Sequence, residues 1–398
     1  MLTCSECDWR DALSARYACP RCEATLAVGY PAGGAEWQTE ERGIWRYRPL
    51  LPVRGPDPPV TLGEGDTPLI EAHRVAAGAR LLIKNEAQNP TASFKDRPVA
   101  VAATMARELG LEGLLCASTG NTAAAVAAYG ARAGLPVRCL VPAGTPAAKL
   151  AQATAAGARV VLVRGSYSDA HALAARAAER FGWANLTSTY VNPYMLEGDK
   201  TLGLELWEQL GGRTPDWVVI PVGAGPLLAG VAKAWEELGE RGPRLMGVQA
   251  SACAPIVRAF EAEAEHVSEW EGEVGTSASS IADPLRGYAA DGTRTLRAIR
   301  RSGGLAIGVA EAHIGDAVDR LGRLEGVLAE PGAGAALAGY ELALERGLVS
   351  PSDLTVIVVT GHGLKDVDAL RGAAEDAPAV DPGDDSAVGT LLEAAARA

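Results

Sequence analysis

Short apolar runs alternate with Ala-rich amphipathic stretches from about residue 61 onward. RLLIKNE precedes PVAVAATMARELG, GLLCAST precedes NTAAAVAAYGARAG, and PVRCLVP follows. The alternation recurs where ARVVLVRG precedes DAHALAARAAERFG and DWVVIPVG precedes LLAGVAKAWEELG, and LTVIVVTGHG is a late apolar run that ends in glycines. Strands that alternate with helices in this way predict βαβ units and a parallel sheet, so the fold class is α/β.

The two ends of the chain lack this alternation. Residues 1–30 hold four of the seven cysteines. Residues 31–60 are rich in Gly, Pro and Trp and predict an irregular segment that packs on the larger body. Residues 373–398 are acidic, with Pro and Gly, and predict a flexible tail that includes a short helix in TLLEAAARA.

Composition narrows the class of protein. The chain has 398 residues, of which 48% are hydrophobic and 22% charged, which predicts a soluble globular protein with at least two lobes. A net charge of −12 argues against nucleic-acid binding, because phosphate contacts need a basic surface. The start of the chain lacks a basic segment followed by an apolar one, and no run of about eighteen apolar residues occurs, so we expect no secretion signal, no membrane partner and a cytoplasmic enzyme.

Two Cys-x-x-Cys pairs near the start predict a structural zinc ribbon, because four thiolates satisfy tetrahedral zinc and leave no open position. The four predicted ligands are Cys4, Cys7, Cys19 and Cys22. Asp8 and Glu23 follow the two pairs, where such turns often use a glycine. The alternative is a ribbon that has lost its metal and packs by apolar residues alone. The remaining cysteines lie in apolar settings and predict core packing: Cys116, Cys139 and Cys253.

The stretch NPTASFKDRP places Lys95 near a predicted helix start. Ser93 and Asp96 have the spacing of a helix cap, which would put Lys95 in the first turn. The positive helix end lowers the pKa of an amine there and favours the free base that attacks an aldehyde such as pyridoxal phosphate (PLP). We also expect Asp96 and Arg97 to form a structural pair. An ordinary helix-start lysine is the alternative.

Three further stretches add to this interpretation. STGNTAAA joins a strand to a helix and offers hydroxyls and free N–H groups to a substrate carboxylate, although plain helix capping is an alternative. PVGAGPLLAG follows a strand, and its glycines would let a phosphate approach the backbone. VVTGHGLKD ends a strand at Thr360, whose hydroxyl could bond a pyridine nitrogen.

In this order the blocks resemble fold-type-II PLP enzymes, and among them the threonine synthase family. The resemblance rests on GEGDTPL, NPTASFKDR, STGNTAAA, NPYMLEGDKT, EPGAGAA and TGHGLKD, together with the cysteine ribbon. It implies a two-lobed α/β enzyme like the tryptophan synthase β chain, with PLP in the cleft. The large PLP-binding lobe would comprise 61–100 and 200–372, and the small substrate-carboxylate lobe 101–199. It also implies a small amino-acid substrate and a homodimer.

The resemblance implies a role for each matching residue. Lys95 would be the Schiff-base lysine and general base, Asn121 would contact the ring hydroxyl, and Thr360 would face the pyridine nitrogen. The cofactor phosphate would be held by Gly223, Ala224 and Gly225, and the substrate by Ser118, Thr119, Gly120 and Thr122.

One block departs from the family's phosphate-binding pattern Asn-Ser-x-Asn-Pro-x-Arg. Thr189 and Tyr190 replace the first two residues, and Met195 stands where the arginine is expected. Methionine has no hydrogen-bond donor, unlike the arginine that binds a phosphate as a charged fork. We therefore expect Thr189, Tyr190 and Met195 to line the substrate site, while the substrate itself differs from the family's phosphate ester or remains the same. The hypotheses are a threonine synthase acting on O-phosphohomoserine, and a paralogue that performs β-elimination or β-replacement on a serine-, threonine- or phosphoserine-like amino acid. A third is a catalytically silent PLP-binding protein or a zinc-ribbon interaction protein.

Overall fold

The computed structural model describes residues 1–30, 37, 40–367 and 378–395. The strands are β1 (Leu2–Cys4), β2 (Arg10–Asp11), β3 (Leu26–Val28), β4 (Leu69–Glu71), β5 (Leu81–Asn85), β6 (Leu114–Cys116), β7 (Val137–Pro142), β8 (Arg159–Val163), β9 (Ala184–Asn185), β10 (Trp217–Pro221), β11 (Arg244–Ala250), β12 (Leu305–Val309) and β13 (Thr355–Val359). The helices are α1 (Asp96–Glu108), α2 (Asn121–Ala133), α3 (Ala147–Ala155), α4 (Tyr167–Phe181), α5 (Pro193–Gln209), α6 (Pro226–Leu238), α7 (Pro255–Glu261), α8 (Ala289–Arg301), α9 (Glu311–Glu325), α10 (Pro331–Glu345) and α11 (Asp385–Ala395). Parts of the predicted irregular segment and of the predicted tail lie outside the described residues.

The larger lobe is built on a six-stranded sheet with the order β12-β11-β10-β13-β5-β4. All neighbouring pairs are parallel except β4 with β5. The central strands β10 and β13 are buried along their whole length. Helices cover both faces of a parallel sheet, which explains why these strands are continuous apolar runs and do not alternate.

The smaller lobe contains a parallel four-stranded sheet with the order β8-β7-β6-β9. This sheet lies within the range 101–199. Two such sheets with helices confirm the predicted two-lobed α/β fold. Among the described residues, no helix is long and apolar enough to cross a membrane.

The N-terminal residues form a separate antiparallel sheet with the order β2-β1-β3. It is fixed to the start of α5 by hydrogen bonds. The Tyr194 hydroxyl donates to the Ser14 carbonyl (2.7 Å) and accepts from the Ser14 N–H (3.0 Å), and the Tyr30 hydroxyl donates to Glu197 (2.8 Å). The ribbon is therefore attached to a helix that also enters the interior of the body.

Helix α5 lies between α1 and α6, and glycines make both contacts possible. A Cβ atom on Gly198 would lie 2.2 Å from the Arg97 carbonyl oxygen, so α1 and α5 touch backbone to backbone. A Cβ atom on Gly230 would lie 2.8 Å from the Asp199 Cβ, so α6 contacts a second, adjacent side of α5. Because α1 starts just after Lys95 and α6 just after the Gly223–Gly225 loop, this crossing brings both predicted cofactor segments together.

A fully buried ion network holds the start of α1 to the rest of the body. The Arg97 guanidinium donates to both oxygens of Glu86 (2.7 and 2.8 Å) and to Glu205 on α5 (2.9 Å). Lys84 on β5 donates to Glu205 as well (2.5 Å). The two cations hold the pKa of the Glu205 carboxyl well below its usual range, although burial acts in the opposite direction. The predicted Asp96–Arg97 pair is therefore wrong, since Arg97 has these other partners.

Candidate active site

Lys95 is the residue immediately before α1, and the segment that carries it is paired with the loop after β13. Ser93 forms an antiparallel bridge with Gly361, and the Phe94 N–H donates to the Thr360 carbonyl (3.0 Å). Both segments follow neighbouring parallel strands, β5 and β13, so their carboxyl ends meet at one edge of the sheet. This pairing brings Lys95 and Thr360, predicted from separate motifs, into one place.

The predicted helix cap at Ser93 is wrong. The buried Ser93 Oγ has no hydrogen-bond partner among the described residues, and no side chain caps α1. The Asp96 carboxylate instead accepts from the Thr91 N–H (3.1 Å) and the Thr91 hydroxyl (2.8 Å). Because α1 begins only at Asp96, Ser93 lies two residues before the N-cap position and its hydroxyl does not cap the helix. Lys95 consequently occupies the N-cap position and not the first turn.

Ala92 has a left-handed backbone conformation, with φ of +65°. An alanine there carries a steric cost of about 1 kcal/mol that glycine does not. We therefore expect Ala92→Gly to raise the free energy of unfolding by about 0.5–1 kcal/mol in a denaturant titration. Ala103→Gly, inside α1, is the control and should lower it by about 1 kcal/mol. An Ala92→Gly variant that is less stable than the parent would show that the backbone of Ala92 is not strained.

The Lys95 amine is surrounded by carboxyl groups. It forms no hydrogen bond or salt bridge with the residues that the structure describes, and its Nζ lies 4.5 Å from the centre of the Phe94 ring. Burial lowers the pKa of the Lys95 ammonium, and nearby carboxylates only partly oppose that shift. These carboxylates belong to Asp199, Asp283 and Glu330. A half-buried amine with a lowered pKa is more often the free base, which is the form that acts as a nucleophile or a base.

The loop from Gly223 to Gly225 joins β10 to α6 and forms an open backbone cradle. Gly225 has φ of +85°, and a Cβ atom on it would lie 2.4 Å from a Thr295 side-chain carbon. In the described part of the chain, the N–H groups of these three residues donate to no protein acceptor. Free N–H groups at a helix start fit a phosphate, so the loop passes the test for a phosphate-bearing cofactor. Pro226 at the first helical position removes one donor from this set.

The loop before α2 belongs to the smaller lobe and contacts the larger lobe through Asn121. It contains Ser118, whose hydroxyl accepts from the Gly120 N–H (3.3 Å), and it continues through Thr119 to Thr122. The Asn121 amide donates to both oxygens of Glu330 (3.0 and 3.1 Å), which lies just before α10 in the larger lobe. Burial raises the pKa of Glu330. Asn121 therefore bridges the two lobes beside Lys95.

The block that departs from the family pattern is divided between site and core. Thr189 is buried, and its hydroxyl has no partner among the described residues. The Tyr190 hydroxyl is 2.8 Å from the Thr295 Oγ, and Thr295 donates to the Ala224 carbonyl in the glycine loop. Met195 is fully buried and packs in the hydrophobic core. Tyr190 thus supports the glycine loop, and the block contributes no cation.

Two acidic residues at the site were missed by sequence reasoning. Asp199 is on α5 and fully buried, and burial raises its pKa to about 7. Asp283 packs against Gly223 and accepts from the Tyr288 hydroxyl (2.8 Å). A signal for Asp199 was present, because a charged residue in the middle of the block LEGDKT is unusual on a buried helix.

The four N-terminal cysteines converge on one point. Their sulfur atoms all lie within 4.8 Å of one another, with Cys4 to Cys22 at 3.5 Å and Cys7 to Cys19 at 3.7 Å. Tetrahedral zinc with bonds of about 2.3 Å needs sulfurs roughly 3.8 Å apart, so the donor set fits this metal. Glu23 has φ of +60°, the conformation that glycine usually supplies in such turns. The three other cysteines are buried, as predicted.

A lysine whose pKa is lowered, a glycine loop with free backbone N–H groups and a helix-start loop from the smaller lobe are the parts that a PLP enzyme needs. The chain belongs to the family described as pyridoxal-phosphate dependent enzyme, whose model matches residues 60–361. It is 38% identical over 375 residues to the threonine synthase of Methanosarcina acetivorans, with 92% of each chain covered. It is 38% identical over 341 residues to that of Methanocaldococcus jannaschii, with 84% of each covered. Within the family, it is a threonine synthase-like lyase that eliminates a leaving group from a small amino acid.

The fold is also similar to a solved structure of a related enzyme. The processed form of threonine deaminase isoform 2 from Solanum lycopersicum has a TM-score of 0.66 and 25% identity, covering 78% of this chain and 87% of that chain. The similarity extends over both lobes and supports the fold-type-II architecture predicted from the sequence.

Proposed function

We propose that the enzyme removes a leaving group from a small amino acid and then adds a nucleophile at Cβ, with Lys95 as its central residue. The observation that carries this proposal is the position of the Lys95 amine. It is free of hydrogen bonds to the described residues. Its segment is paired with the loop that carries Thr360, and Asp283, which packs against Gly223 of the glycine loop, acts on its charge. That environment supports covalent attachment to the cofactor and proton transfer.

When bound, PLP withdraws electrons from the Cα of an attached amino acid and so makes its proton acidic. The N–H groups of Gly223, Ala224 and Gly225 would hold the cofactor phosphate. Asn121 would contact the ring hydroxyl from one side, and Thr360 would face the ring nitrogen. A neutral hydroxyl at that nitrogen leaves it largely unprotonated, which favours elimination and replacement.

The remaining steps belong to the protein's own groups. The substrate carboxylate would accept hydrogen bonds from the loop before α2, where a helix start stabilises an anion. Its contacts would come from Ser118, Thr119, Gly120 and Thr122. Lys95 takes the proton from Cα and delivers it to a neighbouring carbon, and its lowered pKa increases the fraction of free amine that can accept that proton.

Two substrate candidates follow. The first is O-phosphohomoserine, with threonine as product, which is supported by relatives named threonine synthase. The second is a serine-, threonine- or phosphoserine-like amino acid that undergoes β-elimination or β-replacement. The second is favoured because Met195 packs in the core, and the block from Thr189 to Met195 offers no cation to a phosphate. A lost charge-assisted phosphate contact would cost about 2 kcal/mol of substrate binding.

The purified enzyme with PLP should be incubated separately with O-phosphohomoserine, O-phosphoserine, serine and threonine. We expect turnover in at least one tube, detected by mass spectrometry as threonine, a keto acid or a replacement product. Threonine and phosphate from O-phosphohomoserine alone would establish the first candidate. No product from any tube would contradict the proposed reaction.

We propose that Cys4, Cys7, Cys19 and Cys22 hold one structural zinc ion. We expect roughly one zinc per purified chain by elemental analysis, because four thiolates form a closed tetrahedral site. Chelation, or Cys4→Ser, should lower the melting temperature, since the ribbon is bonded to α5 through Tyr194 and Tyr30. Cys253→Ser is the control and should keep its zinc. Metal-free protein with an unchanged melting temperature would argue for a ribbon that packs without metal.

We also propose that the enzyme works as a homodimer in the cytoplasm. The reducing environment suits thiolate ligands, which an oxidising compartment would convert to disulfides. The dimer follows from the family resemblance, and sedimentation of the purified protein tests it. A single species of about twice the 41.1 kDa chain mass supports the dimer, and a monomer contradicts it.

A further inference from the structure

A cavity of about 530 Å³ lies between the N-terminal ribbon, α6 and α8. The ribbon contributes Glu6 to its wall, α6 contributes Lys233, and α8 contributes several arginines. The volume falls within the range of about 300–1,000 Å³ that is typical of small-molecule sites. The described residues that line it include neither Lys95 nor any residue of the glycine loop or of the loop before α2. The cavity is therefore separate from the candidate active site.

One face of α8 supplies the cavity with a row of arginines. Arg294, Arg297 and Arg301 are three and four residues apart, so they share a face of the helix and extend over about 10 Å of its length. Arg294 is half-buried, whereas Arg297 and Arg301 are exposed. Arg300 also lines the cavity, but it donates to backbone carbonyls of α7 and the turn after it (2.7 and 3.4 Å).

The three arginines on this face keep most of their hydrogen-bond donors free. Arg301 forms no hydrogen bond or salt bridge with the residues that the structure describes. Arg297 contacts Glu6 at 3.4 Å, and both side chains are about half exposed (45% and 54%), so this pair is weak. Arg294 donates to the Thr25 hydroxyl (2.6 Å). Because a guanidinium carries five N–H donors, most of them remain available to a ligand.

The acidic residues around the cavity do not cancel the charge of the arginines. Two lysines and two glutamates at one side pair with one another at 2.5–3.2 Å: Lys200, Lys233, Glu197 and Glu237. Glu6 and Glu236 then stand against the four arginines of α8, which leaves two positive charges in excess. The whole chain has a net charge of −12, so this excess is a local property of the cavity and favours an anionic ligand.

The rest of the wall is largely apolar and suits an organic body attached to the anionic groups. Its small and aliphatic members are Ala27, Leu196, Ala229, Ala232 and Ala298. Guanidinium groups bind phosphate oxygens as bidentate forks. Several guanidinium groups spread along a helix suit two or more linked phosphate groups better than they suit a single phosphate ion.

We propose that this cavity binds a small organic compound that carries two or more phosphate groups. Arg294 precedes Thr295 on α8, and Thr295 donates to the Ala224 carbonyl in the glycine loop (2.5 Å). The Tyr190 ring centre lies 4.4 Å from the Arg294 guanidinium, and the Tyr190 hydroxyl is 2.8 Å from the Thr295 hydroxyl. A ligand at Arg294 therefore acts on the side chains that support the glycine loop, and we expect it to change the absorbance of bound PLP.

The test measures binding to the PLP-loaded, full-length enzyme by titration calorimetry in magnesium-free buffer. The probes are ADP and fructose 1,6-bisphosphate, which carry two phosphate groups each, and adenosine and inorganic phosphate are the comparisons. We expect at least one of the two doubly phosphorylated probes to bind once per chain, at least about tenfold more tightly than inorganic phosphate, because it engages more than one guanidinium. Adenosine should not bind measurably.

Arginine variants locate the bound probe. Arg297→Gln and Arg301→Gln should each raise the Kd of that probe by about tenfold, as expected for the loss of a charge-assisted hydrogen bond. Both side chains are exposed, so neither substitution should change the melting temperature. Arg323→Gln is the matched control and should leave the Kd unchanged, since Arg323 is an exposed arginine on α9.

Each outcome has a distinct meaning. Binding of neither doubly phosphorylated probe would overturn the inference, and so would a Kd that Arg297→Gln and Arg301→Gln leave unchanged, because the probe would then occupy another site. Inorganic phosphate that binds as tightly, or an equal loss of binding in Arg323→Gln, would overturn it as well by showing a general attraction of anions to exposed arginines. Binding at the arginines without a change in PLP absorbance would support the site and contradict its link to the glycine loop.

Discussion

Lys95→Ala should lower turnover by at least about 10³-fold, because it removes both the nucleophile and the base from the site. The fold should remain intact, since the Lys95 side chain makes no hydrogen bond with the described residues and α1 is held through Arg97. The glycine loop should still bind the cofactor without a covalent bond. The measurement is kcat on whichever amino acid the wild-type enzyme converts, together with the cofactor absorbance.

Lys149→Ala is the matched control for this prediction, because Lys149 is an exposed lysine on α3. It should keep kcat within about twofold, as expected for a surface change away from the reacting atoms. Turnover by Lys95→Ala close to that of the wild type would refute the assignment of the lysine. It would also revive the hypothesis of a protein that binds PLP without using it.

Arg97→Ala should lower the free energy of unfolding by about 3–5 kcal/mol, the range for breaking a fully buried ion pair. The substitution leaves the Glu86 carboxylate buried without its cation, and it leaves Glu205 with Lys84 alone. The measurement is a denaturant titration, with the midpoint and slope compared between variants. A loss this large is a substantial part of the stability of a folded domain.

Arg323→Ala is the control for the buried network. Arg323 pairs with Asp319 one helical turn away, and its side chain is 72% exposed. Exposed pairs of this kind contribute only about 0.3–0.5 kcal/mol, so this variant should unfold almost like the parent. If Arg97→Ala and Arg323→Ala lowered the free energy of unfolding by similar amounts, burial would not explain how much the Arg97 network stabilises the fold.

The fold was predictable because its elements leave strong local patterns. The apolar runs that became β10 and β13 are buried on both faces, and uninterrupted runs of this kind predict parallel strands. The glycine loop after β10 was also recognisable, since its glycines avoid a clash with Thr295. The family resemblance placed Lys95 and Thr360 at one cofactor site, and in the structure their segments follow the neighbouring parallel strands β5 and β13.

Contacts between distant segments could not be predicted in the same way. Ser93 and Asp96 have the spacing of a cap, but tertiary pairing with the loop after β13 prevails over that local preference. The partners of Arg97 are Glu86, 11 residues before it, and Glu205, 108 residues after it, so the second pairing depends on how α5 packs against α1. The burial of Asp199 likewise could not be predicted, because it depends on the packing of α1 and α6 against α5.

The assignment of Lys95 as the lysine that bonds PLP is tested most directly by finding which lysine carries the cofactor. The PLP-loaded enzyme is reduced with borohydride, digested, and its peptides are identified by mass spectrometry. We expect the cofactor mass on the peptide that contains Lys95, and we expect the Lys95→Ala variant to lack it. Cofactor on any other lysine, or on none, would contradict the assignment of Lys95 and the mechanism built on it.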